Sequence, residues 1–265
     1  MDTKLIIENC ECGRAFEIKR WIKKASKNWL TSHLDLNLQN EKKQTLLSLA
    51  AKSGKIPLME MLVNAGGTYI DLNHPDYHYQ SPLMLAITHG RTKAALWLIN
   101  KEGVNINQVD FYHVTPLIAA AEFGNVEVVK HLIDKGAVLN MTDLNGETAL
   151  IKASWQGNAE IIQLLATAGA DLNIKNKQGR DALNIAVSKK HPGCTAVLIK
   201  NGCNVIIGQK FDMPFRLAKM TGQRQVVNML KSHMVKLREE RRAKRVASHL
   251  TPYNRAAVKR QKTLE

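Results

Sequence analysis

The amino-acid sequence predicts an all-α solenoid of about seven helix–turn–helix units. Glycines that close a segment of small residues recur at Gly90, Gly124 and Gly157, a spacing of 34 and then 33 residues. Ser-Pro-Leu, Thr-Pro-Leu or Thr-Ala-Leu opens each of these segments, and a second apolar segment follows each glycine. A period of about 33 residues with this content is typical of stacked helical repeats.

The copy "TPLIAAAEFGNVEVVKHLIDKGAVLN" explains each element of a unit. Thr115 is a good helix N-cap, and Pro116 suits the first helical position, where a missing N–H costs nothing. The small residues of 117–121 predict a thin first helix that lets neighbours stack closely. The apolar spacing of 128–133 predicts one buried face on a second helix. One unit buries too little apolar surface to fold alone, so stability belongs to the array.

Four regions follow from how well each part of the chain keeps the pattern. Residues 41–207 carry the regular units. Residues 1–40 are expected to form a degenerate N-terminal capping repeat, and 208–235 a C-terminal one. Residues 236–265 are expected to form a basic tail that is helical at first and disordered at its end.

The regular units resemble the ankyrin-repeat family, which has the same order of turn, Thr-Pro-Leu, small-residue helix, glycine and second helix. The resemblance implies that the turns project like β-hairpins. Two features depart from the family. The histidine that often follows Thr-Pro-Leu is replaced, so its turn-linking hydrogen bonds are not assured; Met84, Ile118, Ile151 and Asn184 take its place. At Lys190 and His191 no glycine separates the helices and Pro192 follows, which predicts a local distortion.

The family's usual protein-binding surface is concave and is lined by turn tips, called fingers here, and by the ends of the first helices. Carried over position by position, the resemblance implies a set of partner-binding residues in four successive units. They are Tyr77, His78 and His89; Phe111, Tyr112, Val114 and Phe123; Leu144, Asn145, Trp155 and Gln156; and Lys177 and Arg180.

Aromatic residues are concentrated on this implied surface. Tyr77, Phe111, Tyr112, Phe123 and Trp155 are five of the fourteen aromatic residues of the chain. Aromatic side chains dominate protein-interface hot spots, so the first two fingers are predicted to grip a partner. The alternative is that the rings fold back onto neighbouring fingers as local packing.

Two further residues extend this picture. Tyr79 stands in a turn position that holds glycine in later units, close to the predicted cluster. The fourth finger is basic, because Lys189 joins Lys177 and Arg180 there, and it would fit an acidic rim on the partner.

Charge is unevenly distributed. The formal net charge is +15, and residues 231–265 contribute eleven basic against three acidic side chains. The tail residues Arg241, Arg242, Lys244, Arg245, Lys259 and Arg260 resemble a nuclear-import address or a nucleic-acid patch. A solvated helix end explains the same charges. Few aromatic residues interleave them, so base stacking is not expected and nucleic acid is the less favoured partner.

Motifs for catalysis or metal binding are not found. The chain has no glycine-rich phosphate loop, no Gly-x-Ser-x-Gly and no paired-histidine zinc motif. We therefore expect no catalytic residue, no metal and no cofactor. Cys10, Cys12, Cys194 and Cys203 are too few and too unevenly spaced for a disulfide framework, which favours reduced, buried thiols.

Three asparagines hold a position that the family can offer to a hydroxylase. The resemblance implies that Asn107, Asn140 and Asn173 are candidate hydroxylation substrates. The alternative is that their side chains only make turn hydrogen bonds.

The sequence therefore favours a non-enzymatic protein that binds a partner protein through its finger and inner-helix face, as a monomer. Its irregular repeats, abundant Lys and Asn and basic tail also resemble ankyrin-repeat effectors that intracellular bacteria deliver into host cells. That resemblance implies a host protein as partner and a location in host cytoplasm, with the nucleus as a second location. No apolar run long enough for a membrane span is present, and the N-terminus is not expected to be a classical signal peptide. The alternative function is a nuclear or nucleic-acid-associated regulator that acts through the tail.

Overall fold

The computed structural model describes residues 3–11, 14, 16–21, 36–66, 69–205 and 213–249. Within these residues helices follow one another in pairs, and the only β-type pairing is an isolated bridge between Gln39 and Thr45. The helices are α1 (Thr3–Glu11), α2 (Leu46–Ser53), α3 (Ile56–Gly66), α4 (Pro82–Thr88), α5 (Thr92–Ile99), α6 (Pro116–Glu122), α7 (Val126–Asp134), α8 (Ala149–Gln156), α9 (Ala159–Thr167), α10 (Ala182–Ser188), α11 (Pro192–Lys200), α12 (Met213–Met220) and α13 (Arg224–His249). A short helical stretch at 16–21 pairs with α1, so the described residues hold seven pairs and the predicted solenoid is confirmed.

The first helices of successive pairs pack on one another and form an inner layer. Thus α4 lies between α2 and α6, and α8 lies between α6 and α10. The second helices form an outer layer in the same order, from α3 to α13. The predicted thin inner helices allow this stacking, since Ala120 and Ala121 of α6 are fully buried.

The five inner helices of the regular units each begin at a side-chain cap. The hydroxyls of Thr45, Ser81, Thr115 and Thr148 accept hydrogen bonds from the backbone N–H three residues later, at 3.1–3.3 Å. The carboxylate of Asp181 does the same in the last regular unit. A cap of this kind contributes about 1 kcal/mol. Because the caps fix where each helix starts, they also fix where each finger ends.

The predicted distortion near Lys190 does not occur. Lys190 takes the left-handed conformation, with φ of 61°, that glycine has in the other units. Pro192 occupies the first turn of a regular α11. The missing glycine is therefore accommodated by local backbone strain rather than by a change in helix packing.

The described cysteines lie inside the solenoid. Cys194 and Cys203 are buried free thiols, as predicted. Cys10 is also buried, and its thiol donates to the carbonyl of Leu46 at 3.2 Å, whereas Cys12 lies outside the described residues. Burial raises the pKa of Cys194 to about 11 and that of Cys203 to about 12. These two thiols therefore stay protonated at neutral pH and act as small core residues.

Candidate functional site

Five successive turns share one backbone geometry. They span 40–44, which we call the upstream turn, and 76–80, 110–114, 143–147 and 176–180, which are the first to fourth fingers. In each, the first residue is Asn or Asp, and its side-chain oxygen accepts hydrogen bonds from the N–H groups two and four residues later, at 2.8–3.0 Å. Such local bonds favour a turn over a longer strand. The projecting hairpins implied by the resemblance are therefore compact five-residue turns.

Backbone hydrogen bonds join each turn to the next. The N–H of Tyr77 donates to the carbonyl of Lys42 at 3.1 Å, and that of Phe111 donates to the carbonyl of His78 at 2.9 Å. Leu144 and Lys177 donate in the same way to Tyr112 and Asn145, at 3.0 and 2.9 Å. The tips of the upstream turn and the four fingers consequently form one continuous row, which we call the finger row. Side chains on adjacent turns are held as neighbours.

The fourth residue of each turn has a left-handed backbone. Gly146 and Gly179 hold this position in the third and fourth fingers, but Lys43, Tyr79 and His113 hold it in the preceding turns, with φ of 57–60°. A non-glycine residue in this conformation costs roughly 1–2 kcal/mol. The first two fingers therefore contain strain that the third and fourth fingers avoid.

An exposed group of rings lies on the first two fingers and the end of α6. Its members are Tyr77, Tyr79, Phe111, Tyr112 and Phe123, each 56–59% exposed, and we call it the aromatic cluster. Two ring contacts lie within it: Tyr79 stacks on Phe111 with centroids 6.4 Å apart, and Tyr112 meets Phe111 edge to face at 5.4 Å. Exposed apolar surface of this kind marks interaction sites.

Tyr79 is the member of the cluster that the implied set of binding residues omitted. Its slot corresponds to a turn glycine in later units, so the sequence placed it only near the cluster and did not identify Phe111 as its neighbour. The left-handed backbone of Tyr79 directs its ring towards Phe111, whereas a glycine at this position would have no side chain.

Trp155 differs from the exposed ring that the resemblance implied. It is half-buried and packs against the core at the end of α8, and its indole Nε1 is buried without a hydrogen-bond partner. The ammonium of Lys189 lies 3.9 Å from its ring centroid. Val114 is also half-buried against the core. Both residues support the surface from beneath more than they present it.

The other implied binding residues lie at the tips and inner-helix ends as expected. His78, Leu144, Asn145 and Lys177 are exposed finger residues, Arg180 is half-buried, and His89 and Gln156 are exposed at inner-helix ends. The structure thus brings the implied set together along one row, with Trp155 and Val114 below it.

A lysine on α8 anchors the third finger. The ammonium of Lys152 lies 3.1 Å from Asp143, 2.9 Å from Glu147 and 3.7 Å from Glu122. Burial lowers the pKa of Lys152, but hydrogen bonds and charge from these carboxylates outweigh that effect and raise it above its ordinary value. Lys152 therefore stays charged at neutral pH and ties this finger to two units.

Side chains of the turns replace the histidine that this chain lacks. The amide of Gln44 donates to the carboxylate of Asp76 at 3.1 Å, and that of Asn176 donates to Glu147 at 3.2 Å. Hydrogen bonds between turns are therefore present without the histidine, and side chains of the turns and Lys152 make them.

The three asparagines considered for hydroxylation bridge successive units. The side-chain oxygen of Asn107 accepts from the N–H of Val138, that of Asn140 from Asp171, and that of Asn173 from Asn204, at 2.7–3.0 Å. Asn37 and Asn73 make the same bond upstream. The asparagines thus form a ladder along the solenoid, while their hydroxylation stays a prediction.

The basic tail continues from the last outer helix, α13. Val226 and Leu230 are buried near the start of α13. The predicted tail residues Arg241, Arg242, Lys244 and Arg245 are exposed on the later part of α13. Lys259 and Arg260 lie outside the described residues.

The described residues contain neither a metal-binding cluster nor a membrane-spanning helix. Among the described residues, no group of three or more His, Cys, Asp or Glu side chains could hold a metal ion. In the same part of the chain, helices that combine sufficient length and apolarity to traverse a bilayer are not found.

The chain was then compared with known proteins. The family model described as "Ankyrin repeats (3 copies)" matches residues 22–110, 102–176 and 153–241. "Ankyrin repeat protein nuc-2" of Neurospora crassa is 32% identical over 96 residues, which are 36% of this chain and 9% of that protein. This chain therefore spans only about a tenth of that relative.

Solved structures of similar shape cover most of both chains. The ankyrin repeat domain of an Acinetobacter baumannii protein is 26% identical, with a TM-score of 0.65, over 71% of this chain and 96% of that one. The ankyrin repeat domain of Bcl-3, described as a unique member of the IkappaB protein family, is 22% identical, with a TM-score of 0.72, over 85% of this chain and 97% of that one. The second likeness concerns the fold alone.

Proposed function

The chain belongs to the ankyrin-repeat family, and we propose that it binds a folded partner protein through the finger row and the ends of its inner helices. Repeats of this family serve as protein-interaction modules, and the family that matches is not a catalytic one. In this proposal the chain acts by binding and performs no reaction.

The observation that carries the proposal is the aromatic cluster. Five rings at 56–59% exposure lie on adjacent fingers and one inner-helix end. Each leaves more than half of its surface in water, where it contributes little to folding. Tyr79 moreover holds a strained backbone position. A protein interface accounts for rings that the stability of the fold does not require.

Affinity capture with mass spectrometry tests the proposal. The baits are the intact chain and a four-ring variant in which Tyr77, Phe111, Tyr112 and Phe123 become Ser. A matched control replaces the exposed apolar residues Tyr69, Val138 and Val235, which lie outside the fingers and inner helices, with Ser. The expected result is a protein held by the intact and control baits and lost from the four-ring variant. Equal capture by all three baits would contradict the proposal.

The source of the partner is a finer proposal. We propose that it is a host protein, met after this chain is delivered into host cytoplasm, and that the chain acts there as a monomer. This finer proposal is supported by the irregular repeats, the abundant Lys and Asn and the basic tail of the sequence. Expression of the chain in eukaryotic cells tests this, because the captured partner should be a host protein and should co-localise with the chain.

A second candidate function rests on the exposed basic side chains of α13. Arg241, Arg242, Lys244 and Arg245 extend beyond the buried cap residues. In this alternative the tail binds phosphate groups of nucleic acid or directs the chain to the nucleus. Truncation after residue 235 should then abolish nuclear entry and salt-sensitive DNA binding while leaving partner capture intact. Loss of partner capture on truncation would instead assign the tail to the main interface.

A further inference from the structure

We propose, on the basis of the protein-binding function above, that the partner presents an apolar segment flanked on both sides by carboxylates. The finger row has rings at its centre and cations at both ends. The resemblance implied a basic fourth finger alone, whereas the structure adds a second basic end and shows how the cations are held.

At the upstream end, the ammonium of Lys43 lies 5.1 Å from the centroid of the Tyr77 ring. Lys43 holds the left-handed position of the upstream turn, and Lys42 beside it is also exposed. A lysine over an aromatic face gains about 0.5–1 kcal/mol at an exposed site. This contact places a positive charge at the edge of the aromatic cluster before any partner arrives.

At the downstream end, Lys189 lies 3.9 Å above the Trp155 ring. Exposed Lys177 and half-buried Arg180 on the fourth finger add to the same end. Half-buried Trp155 therefore holds a cation at this end of the row.

The carboxylates of the fingers do not offset these cations at the surface. Asp76, Asp110 and Asp143 are 5–8% exposed, and their oxygens are occupied by N–H groups of their own turns. Glu147 is held by Lys152. The acidic side chains on the row that reach solvent are exposed Glu41 and half-buried Glu122. The outward face is therefore basic at both ends and apolar between them.

A protein fits this surface better than single-stranded nucleic acid does. Bases stack on free aromatic faces. Here one face of Tyr77 and one of Trp155 are occupied by lysines, and Tyr79 and Phe111 stack on each other. The rings are therefore arranged to receive apolar side chains between them, and the lysines to receive carboxylates.

The length of the row sets the spacing that a partner must match. Four turn-to-turn steps separate Lys43 from Lys177, and packed helices lie about 8–10 Å apart, so the two ends are about 32–40 Å apart. An extended segment of about a dozen residues spans this distance. The two acidic groups should therefore lie about ten residues apart in an extended surface segment of the folded partner.

Selection from a random phage-displayed library of 20-residue peptides tests the proposal with the full chain as bait. We expect enriched peptides with aromatic or aliphatic residues in the middle and Asp or Glu on both sides. The selected peptides are then measured against a variant in which Lys43, Lys177 and Lys189 become Glu. A matched control changes Lys93, Lys130 and Lys231, exposed on the outer helices, to Glu. A fluorescent dT20 oligonucleotide is titrated in parallel.

The expected result is a loss of peptide affinity of about 30-fold in the finger-lysine variant and less than about 3-fold in the control. Enrichment of neutral or basic peptides, no enrichment, or equal binding to the two variants would overturn the acidic partner. Tighter binding of dT20 than of the peptides would overturn it in favour of nucleic acid. If the selected peptides also bind the four-ring variant unchanged, the proposed concave interface fails as well. If they need the rings but not the lysines, only the charge proposal fails.

Discussion

The first two fingers and the last two build the same turn from different residues. All four use an Asp or Asn acceptor, the same pair of N–H donors and the same left-handed fourth position. Gly146 and Gly179 fill that position in the third and fourth fingers, whereas Tyr79 and His113 fill it in the first two. The backbone does not require the bulky residues, because glycine serves in the same geometry.

The contrast separates what folds the solenoid from what the solenoid offers to a partner. The third finger is tied inward by Lys152 and its carboxylates, while the first two carry exposed rings and have Leu85 and Ala119 at the position of Lys152. Polar ties stabilise the third finger at no cost in backbone strain. The first two accept strain and solvent-exposed apolar surface, which selection for binding explains and selection for stability does not.

The largest effect on stability is expected from the ion pairs between Lys152 and the third finger. Changing Lys152 to Met leaves Asp143 and Glu147 without their cation and should lower the free energy of unfolding by about 3 kcal/mol at neutral pH. Changing Lys130, exposed on α7, to Met should alter it by less than about 0.5 kcal/mol. Urea denaturation of the three proteins measures the difference. Equal stabilities would remove the distinction between anchored and strained fingers.

The ion pairs of Lys152 also predict a pH dependence of the free energy of unfolding. The pKa of Lys152 is raised above its ordinary value of 10.5 in the folded chain. Its contribution is therefore complete below pH 10.5 and is lost as pH rises through the folded pKa. The stability gap between the intact chain and the Lys152→Met variant should hold from pH 7 to about pH 10 and shrink above that. A gap that closes already near pH 9 would mean that the pKa is lowered instead.

The two finger glycines should differ from each other. A Cβ on Gly146 would lie 3.1 Å from the backbone nitrogen of Lys177 and 3.2 Å from Cα of Asn176, whereas one on Gly179 meets nothing within 4 Å. Gly146→Ala should therefore cost about 2–3 kcal/mol and Gly179→Ala about 1 kcal/mol. Thermal or urea unfolding distinguishes them. The reverse order would show that the contact between neighbouring fingers is looser than the structure has it.

The smallest change in stability is expected at Tyr79. Asn tolerates the left-handed conformation, so Tyr79→Asn should leave the free energy of unfolding unchanged or raise it by about 0.5 kcal/mol. Loss of the ring stacked on Phe111 should weaken partner binding about tenfold. Calorimetric titration with a captured partner or a selected peptide reads the second effect. A variant that is clearly destabilised and binds normally would make Tyr79 a packing residue.

The repeat pattern was sufficient for the fold because it is local and recurrent. Thr115 and Pro116 mark a helix start by their own chemistry, and the inner helices of four further units begin at a comparable cap. Details of the site depend on contacts between units, which no single repeat contains. Lys189 over Trp155 and Tyr79 beside Phe111 join residues from neighbouring repeats, and Lys152 reaches Glu122 of the preceding repeat as well as the carboxylates of its own finger. The regular geometry at Lys190 was likewise beyond the pattern, because a left-handed lysine replaces the expected glycine.

The most direct test of the account is urea unfolding of the four-ring variant beside the intact chain. If the aromatic cluster serves a partner, replacing Tyr77, Phe111, Tyr112 and Phe123 by Ser should lower the free energy of unfolding by less than about 3 kcal/mol, with an unchanged slope, because only two exposed ring pairs and one cation–π contact are lost. A loss of about 3 kcal/mol or more would match the removal of buried rings. That result would contradict the account and identify the cluster as packing between fingers.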